Sequence, residues 1–142
     1  MDKKIIELHK VLYPEEYKTV YIYTYPLFNQ ELKELINKSG YEKEFKIKYY
    51  KSLRFLENLK RNCIMNTHLF EQLVNAEGIY SIILKGTMNI RILFDFQYYD
   101  EIEIAVLYNC FYERKLSDYK EKIASAIARR QEIFPKGGRN DG

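Results

Sequence analysis

Ile90-Arg91-Ile92-Leu93-Phe94-Asp95-Phe96 is the stretch on which the fold reading turns. Every even position is apolar and the odd positions are mixed, the period-two pattern of a strand with one face in a core and the other carrying Arg91. Working outward, Ile79 to Lys85 reads as the preceding strand, Gly86-Thr87-Met88-Asn89 as a turn, and Ile102 to Phe111 as the following strand. A meander is the simplest pairing of the three. A closing helix is predicted from Ser117-Asp118, where Asp118 and Glu121 fit a capping box and Ile123, Ala126, Ile127 and Arg130 mark its inner side.

Upstream, Ile5, Leu8 and Leu12 share one face of a short predicted helix that Pro14 ends. Thr19 to Tyr25 is rich in β-branched and aromatic residues, which predicts a strand stopped by Pro26. Leu27/Phe28, Leu32 and Leu35/Ile36 predict a helix stopped by Ser39-Gly40. A longer one follows, with Phe45, Tyr49, Leu53, Leu56, Leu59 and Cys63 as its apolar stripe. Asn66-Thr67-His68 falls in a connection. The expected architecture is an α+β domain over residues 1–142: a small antiparallel sheet with helices on one face, residues 1–18 a helical N-terminal extension, and residues 135–142 a flexible tail.

At 142 residues the chain suits one core. The net charge is only +3, but seven Lys/Arg against two acids lie between Lys43 and Asn62, and eight against four between Phe111 and Arg139. Phe70 to Cys110 holds two against six, so the cations gather on one helix and the C-terminal third, a phosphate footprint or simply a solvated helix face. Short apolar runs and the absence of a signal-like start lead us to expect a cytoplasmic protein. Cys63 and Cys110 form no CxxC or Cys/His cluster, so no metal site, disulfide or other cofactor is expected. Dinucleotide, P-loop, nucleophile-elbow and zinc-protease motifs are all missing from the sequence.

From Gly78 onward the sequence resembles the RelE/HigB-like toxins of bacterial type II toxin–antitoxin systems, in their phage-related branch. Gly78-Ile79-Tyr80-Ser81-Ile82-Ile83 stands for that branch's Gly-Leu-Tyr-Glu-Leu-Arg, and Ile90-Arg91-Ile92-Leu93-Phe94 for its Tyr-Arg-Ile-Leu-Tyr. Phe111-Tyr112-Glu113-Arg114 takes the place of Phe-x-Lys-Lys, and Ile123-Ala124-Ser125-Ala126 that of a helical Ile-x-x-Ala. The match is one of spacing and hydrophobic pattern. Ile83, Ser81 and Glu113 replace the family's Arg, Glu and first Lys, and Leu69 follows His68 where the branch often has Lys.

The resemblance implies a RelE-like fold and a metal-free endoribonuclease that cleaves mRNA on the ribosome, inhibits translation and is neutralised by a cognate antitoxin. Such cleavage deprotonates a 2′-hydroxyl, neutralises the phosphorane and protonates the 5′-oxygen. Arg91 and Arg114 are the candidates for charge neutralisation, with Glu113, Lys85 and Lys115 for proton transfer. For Arg91 the ordinary alternative is a salt bridge to Glu103 or Asp95; for Glu113 it is a solvated pair with Lys115. Tyr112 is a candidate to stack on a base or to pack under the final helix, and Lys46, Lys51, Arg54 and Arg61 are candidates to hold RNA. His68 and Tyr108 read as incidental and core residues. Two other readings stay open: a ParE-like inhibitor of DNA gyrase, and a non-catalytic protein-binding or regulatory module on the same fold.

Overall fold

The computed structural model describes residues 7–135. Strand β1 (His9–Lys10) and strand β2 (Ile22–Thr24) precede helix α1 (Phe28–Ser39) and helix α2 (Glu42–Leu59). A short 3-10 segment (Lys60–Met65) leads to β3 (Phe70–Gln72), β4 (Tyr80–Leu84), β5 (Ile90–Tyr99), β6 (Ile102–Tyr112) and helix α3 (Leu116–Ile133). The six strands form one sheet in the order β1-β2-β6-β5-β4-β3. Mixed helix and strand agrees with the α+β expectation, and β4-β5-β6 pair as the expected antiparallel meander.

Several details correct the sequence reading. The sheet is mixed, since β2 runs parallel to β6. No helix forms over the described part of the N-terminal segment: His9 and Lys10 instead pair with Thr24 and Tyr23, and Asn29 holds them by accepting from the Leu12 N–H and donating to the Lys10 carbonyl. Residues 5 and 6 of that predicted helix, and residues 136–142 of the predicted tail, lie outside the described residues. β2 starts at Ile22, because the Thr19 hydroxyl accepts the N–H groups of Tyr21 and Ile22 and turns the chain there. β3 appears where a plain connection was expected, with Phe70 buried and Glu71 and Gln72 exposed.

The helices also lie on both faces of the sheet. Phe28, Leu32 and Ile36 of α1 and Phe45, Tyr49, Leu53 and Leu56 of α2 pack with Ile82, Ile90, Ile92, Phe94 and Leu107. Ala126 and Ile133 of α3 pack with Leu93, Ile104, Val106 and Tyr108 on the other side. The face carrying Arg91 is therefore partly roofed rather than open. A register shift at Leu93/Phe94 inserts one extra residue into β6, which is why Tyr108 and Asn109, though adjacent, both face α3.

Local signals explain the element ends. Gly40 supplies the left-handed backbone, φ +84°, that closes α1. Asp100 and Glu101 both take positive φ, 57° and 65°, in the two-residue loop of the β5–β6 hairpin. Asp118 is not the N-cap of α3: it sits at the helix's third position and accepts the backbone N–H groups of Arg114 and Lys115, each at 3.1 Å.

Side chains then pin α3 in place. Arg129 binds both carboxylate oxygens of Glu31 on α1 at 2.7 Å and the Tyr108 carbonyl at 2.7 Å. Asp95, buried in β5, accepts from Tyr108 Oη at 2.8 Å, Gln97 Nε2 at 2.8 Å and Arg130 Nη1 at 3.0 Å. Burial pushes the Asp95 carboxyl above its usual range, against the opposing pull of its three donors.

Candidate functional site

Arg91 lies on β5 opposite Ile83 of β4 and Phe111 of β6. Its guanidinium does not reach for Asp95 or Glu103. Asp95 is engaged by Arg130, and Glu103 by Arg61 at the far end of the hairpin. Two other carboxylates hold it: Glu113 Oε1 accepts from Nε at 2.9 Å and Nη2 at 2.7 Å, and Glu71 Oε1 lies 2.8 Å from Nη1. The ring of Tyr119 lies 5.4 Å from the guanidinium carbon, and its hydroxyl donates to Glu71 Oε1 at 3.3 Å. Burial of Tyr119 raises its phenol well above the ordinary value.

Four separate elements build this cluster. β3 brings Glu71, β5 Arg91, the end of β6 Glu113, and the first turns of α3 Tyr119. The Glu113 backbone is fixed by its N–H to the Asn89 carbonyl at 2.9 Å, and the Tyr119 ring by an edge contact with Phe111. A cleft of about 690 Å³ opens beside the cluster, lined by Thr67, Glu71, Gln72, Ile83, Lys85, Asn89 and Arg91 among others. The sequence candidates Arg91, Glu113 and Lys85 thus meet at or beside one cleft.

The others lie apart. Arg114 and Lys115 are exposed beyond β6, with the Arg114 guanidinium carbon 5.9 Å from the Tyr112 ring. Glu113 pairs with Arg91 and not with Lys115. Tyr112 packs on the α1/α2 face and donates its hydroxyl to the Leu35 carbonyl at 2.8 Å, so its ring packs against α1 and not under α3. Lys46 lies 5.6 Å over the Tyr13 ring and 4.0 Å from Glu15, and Arg61 pairs with Glu103 over Phe96. Lys51 and Arg54 are exposed on α2. Lys46, Lys51 and Arg54 of α2 and Arg61 of the 3-10 segment, proposed to hold RNA, therefore sit on the opposite side of the sheet from Arg91.

Glu71 and Tyr119 were missed. Glu71 lies in a stretch read as connection, and only the alternation buried Phe70, exposed Glu71 hinted at a strand. Tyr119 is one of 14 tyrosines, and nothing in its spacing singled it out.

The cluster carries one guanidinium against two carboxylates, so with Lys85 it is formally neutral. Of the two carboxylates, Glu71 is the more open, its side chain 45 % exposed against 25 % for Glu113. An anion entering the cleft would reach Arg91 most readily by displacing Glu71, leaving Glu113 to hold the guanidinium in orientation. Among the described residues, no group of three His, Cys, Asp or Glu side chains is placed to hold a metal ion, and no helix is long and apolar enough to cross a membrane.

No family model, curated protein or solved structure matches the chain.

Proposed function

We propose that the protein is a RelE/HigB-like toxin: a cytoplasmic, ribosome-dependent mRNA endoribonuclease that works without a metal, inhibits translation and is neutralised by a cognate antitoxin. One observation carries the reading: a guanidinium, two carboxylates and a phenol converge beside an open cleft, and the guanidinium is that of Arg91, which stands at the Arg of the family's Tyr-Arg-Ile-Leu-Tyr. The order β2, α1, α2, the β4-β5-β6 meander and α3, within a sheet that β1 and β3 extend, supports it as well.

In this mechanism Glu71, released from Arg91 by the incoming phosphate, takes the proton of the 2′-hydroxyl. The 2′-oxygen attacks phosphorus, Arg91 neutralises the added charge, and the P–O5′ bond breaks as the leaving oxygen takes a proton from Lys85 or Tyr119. The products are a 2′,3′-cyclic phosphate and a 5′-hydroxyl. The test uses EDTA-treated protein added to magnesium-containing ribosomes programmed with mRNA. Cleavage with 2′,3′-cyclic or 3′-phosphate ends, abolished in Glu71→Gln, supports the mechanism. A 3′-hydroxyl product would point to metal-assisted hydrolysis and overturn it.

The double pairing of Arg91 favours a second reading, a non-catalytic protein-binding module on the same fold. A guanidinium already neutralised by two carboxylates gains less from a phosphate than a bare one does. Intact mRNA in the ribosome assay together with capture of a protein partner would establish this reading instead.

A further inference from the structure

We propose that the protein pairs with a second copy of itself along the free edge of β5, beside the tip of the β5–β6 hairpin. The hairpin runs on past its neighbours: β4 begins at Tyr80, opposite Phe94, and β2 meets β6 only from Ala105. Residues 95–99 of β5 therefore pair with β6 alone, and among the described residues no backbone hydrogen bond from another segment reaches them. The two-residue loop makes Tyr99 and Ile102 a hydrogen-bonded pair, and Gln97 and Ile104 the next. The Ala105 N–H, which turns away from β5 to the Tyr21 carbonyl at 2.9 Å, fits that alternation. Phe96 and Tyr98 are thus left to aim their N–H and carbonyl groups outward. Such edges are ordinarily blunted by charge or proline. Here Tyr98 and Tyr99 stand 45 % and 54 % exposed.

Four free backbone groups suit any extended chain, but the side chains select the same edge inverted. With a two-fold axis at Gln97, Phe96 of each copy bonds Tyr98 of the other, and Gln97 faces its own counterpart. Tyr98 shares the face of Phe96, so it arrives where the Arg61 guanidinium carbon of the second copy lies 4.9 Å from the Phe96 ring. On the opposite face Tyr99 arrives at the second copy's Asp95, whose carboxylate holds Arg130 Nη1 at 3.0 Å. Each exposed ring therefore meets a guanidinium. The free edges match in length, because Asp100 turns the chain at the level of the second copy's Tyr80. Charge opposes the pairing: Asp100 and Glu101 approach the second copy's Glu77, whose side chain is 69 % exposed. Added salt screens that repulsion and should tighten the pair. Pairing at this edge is independent of the toxin reading.

Sedimentation equilibrium of the purified chain, from about 1 µM to about 1 mM, should show the average mass rising from one chain toward two, more steeply at about 0.5 M salt than at about 0.05 M. Tyr98→Pro removes an outward N–H and none of the β5–β6 bonds, and should weaken the pairing by about ten-fold or more. Gln97→Cys checks the geometry. Two cysteines facing one another across the axis at a non-hydrogen-bonded position lie within disulfide reach, so oxidation should link two copies. Ile102→Cys, on the far edge of the hairpin, should stay unlinked, and Ile102→Ser should associate like the parent. Melting curves separate lost pairing from lost fold, and where Tyr98→Pro melts early the cross-link at Gln97→Cys decides. A chain that stays single at the highest concentration, or linkage of Ile102→Cys in place of Gln97→Cys, would overturn the proposal. So would pairs that persist in a folded Tyr98→Pro and vanish in Ile102→Ser, which would put the contact on the apolar tip instead of the edge.

Discussion

Arg91 and Arg114 look alike in the sequence, each in or beside a strand and each a candidate for the same task, yet their surroundings separate them. Arg91 donates to two carboxylates and lies over a ring; the Arg114 guanidinium is near the Tyr112 ring alone and exposed. Removing Arg91 leaves Glu71 and Glu113 facing one another without a counter-charge. Arg91→Ala should therefore cost about 1–3 kcal/mol in a denaturant melt, while Arg114→Ala stays within about 0.5 kcal/mol. A parental midpoint for Arg91→Ala would contradict the cluster as described. Loss of activity in that variant must accordingly be read beside Glu71→Gln, which keeps the guanidinium paired to Glu113. Cys63 offers a second check, because burial lifts its thiol to about 12. Native protein should resist alkylation there at pH 8, and unfolded protein should react at the ordinary thiol rate. The sequence announced Arg91 because a lone cation among alternating apolar residues stands out. It hid the partners, since pairing across β3, β6 and α3 is set by register and not by anything local.

At the level of elements, α1, α2 and the meander were legible because their periodicity is long and their stops are chemically explicit, Gly40 above all. β1 and β3 were not. Two- and three-residue strands carry too little alternation to read, and their existence depends on neighbours already in place. The second helical layer was also hidden: α3 was predicted as a helix, but its seat was not. That seat rests on Asp95, whose removal strands Arg130 and Tyr108, so Asp95→Ala should destabilise by about 3 kcal/mol. The pH dependence has a definite sign. The folded carboxyl titrates above 3.8, so between 3.8 and its raised value the folded chain holds a proton that the unfolded chain has released. Stability contributed by this group falls as pH rises through that window. The stability difference between the parent and Asp95→Asn should accordingly shift toward the parent as pH is lowered into the window, as read from urea midpoints. A difference independent of pH would show that Asp95 titrates at its ordinary value.

On the scale of the whole molecule, the sheet separates α2 from Arg91, as the sequence reading expected, while α3 on Arg91's own face was not expected. The Arg91 guanidinium lies on the α3 side against Tyr119, its cleft also reaches Ile64 and Phe70 of the α1/α2-side core, and α2 packs on the other face of the sheet. The cations read in the sequence as an RNA footprint do not share one surface: Lys46 of α2 and Arg61 of the 3-10 segment are each taken by an ion pair and an aromatic ring, and Lys51 and Arg54 line a groove. RNA cleavage during translation, as proposed, would be read from mRNA 5′ ends mapped after inducible expression in bacteria. Growth should arrest with protein synthesis falling before DNA synthesis, and with new 5′-hydroxyl ends confined to translated reading frames and absent in Glu71→Gln. Intact messages, or DNA synthesis stopping first with gyrase supercoiling inhibited, would contradict it.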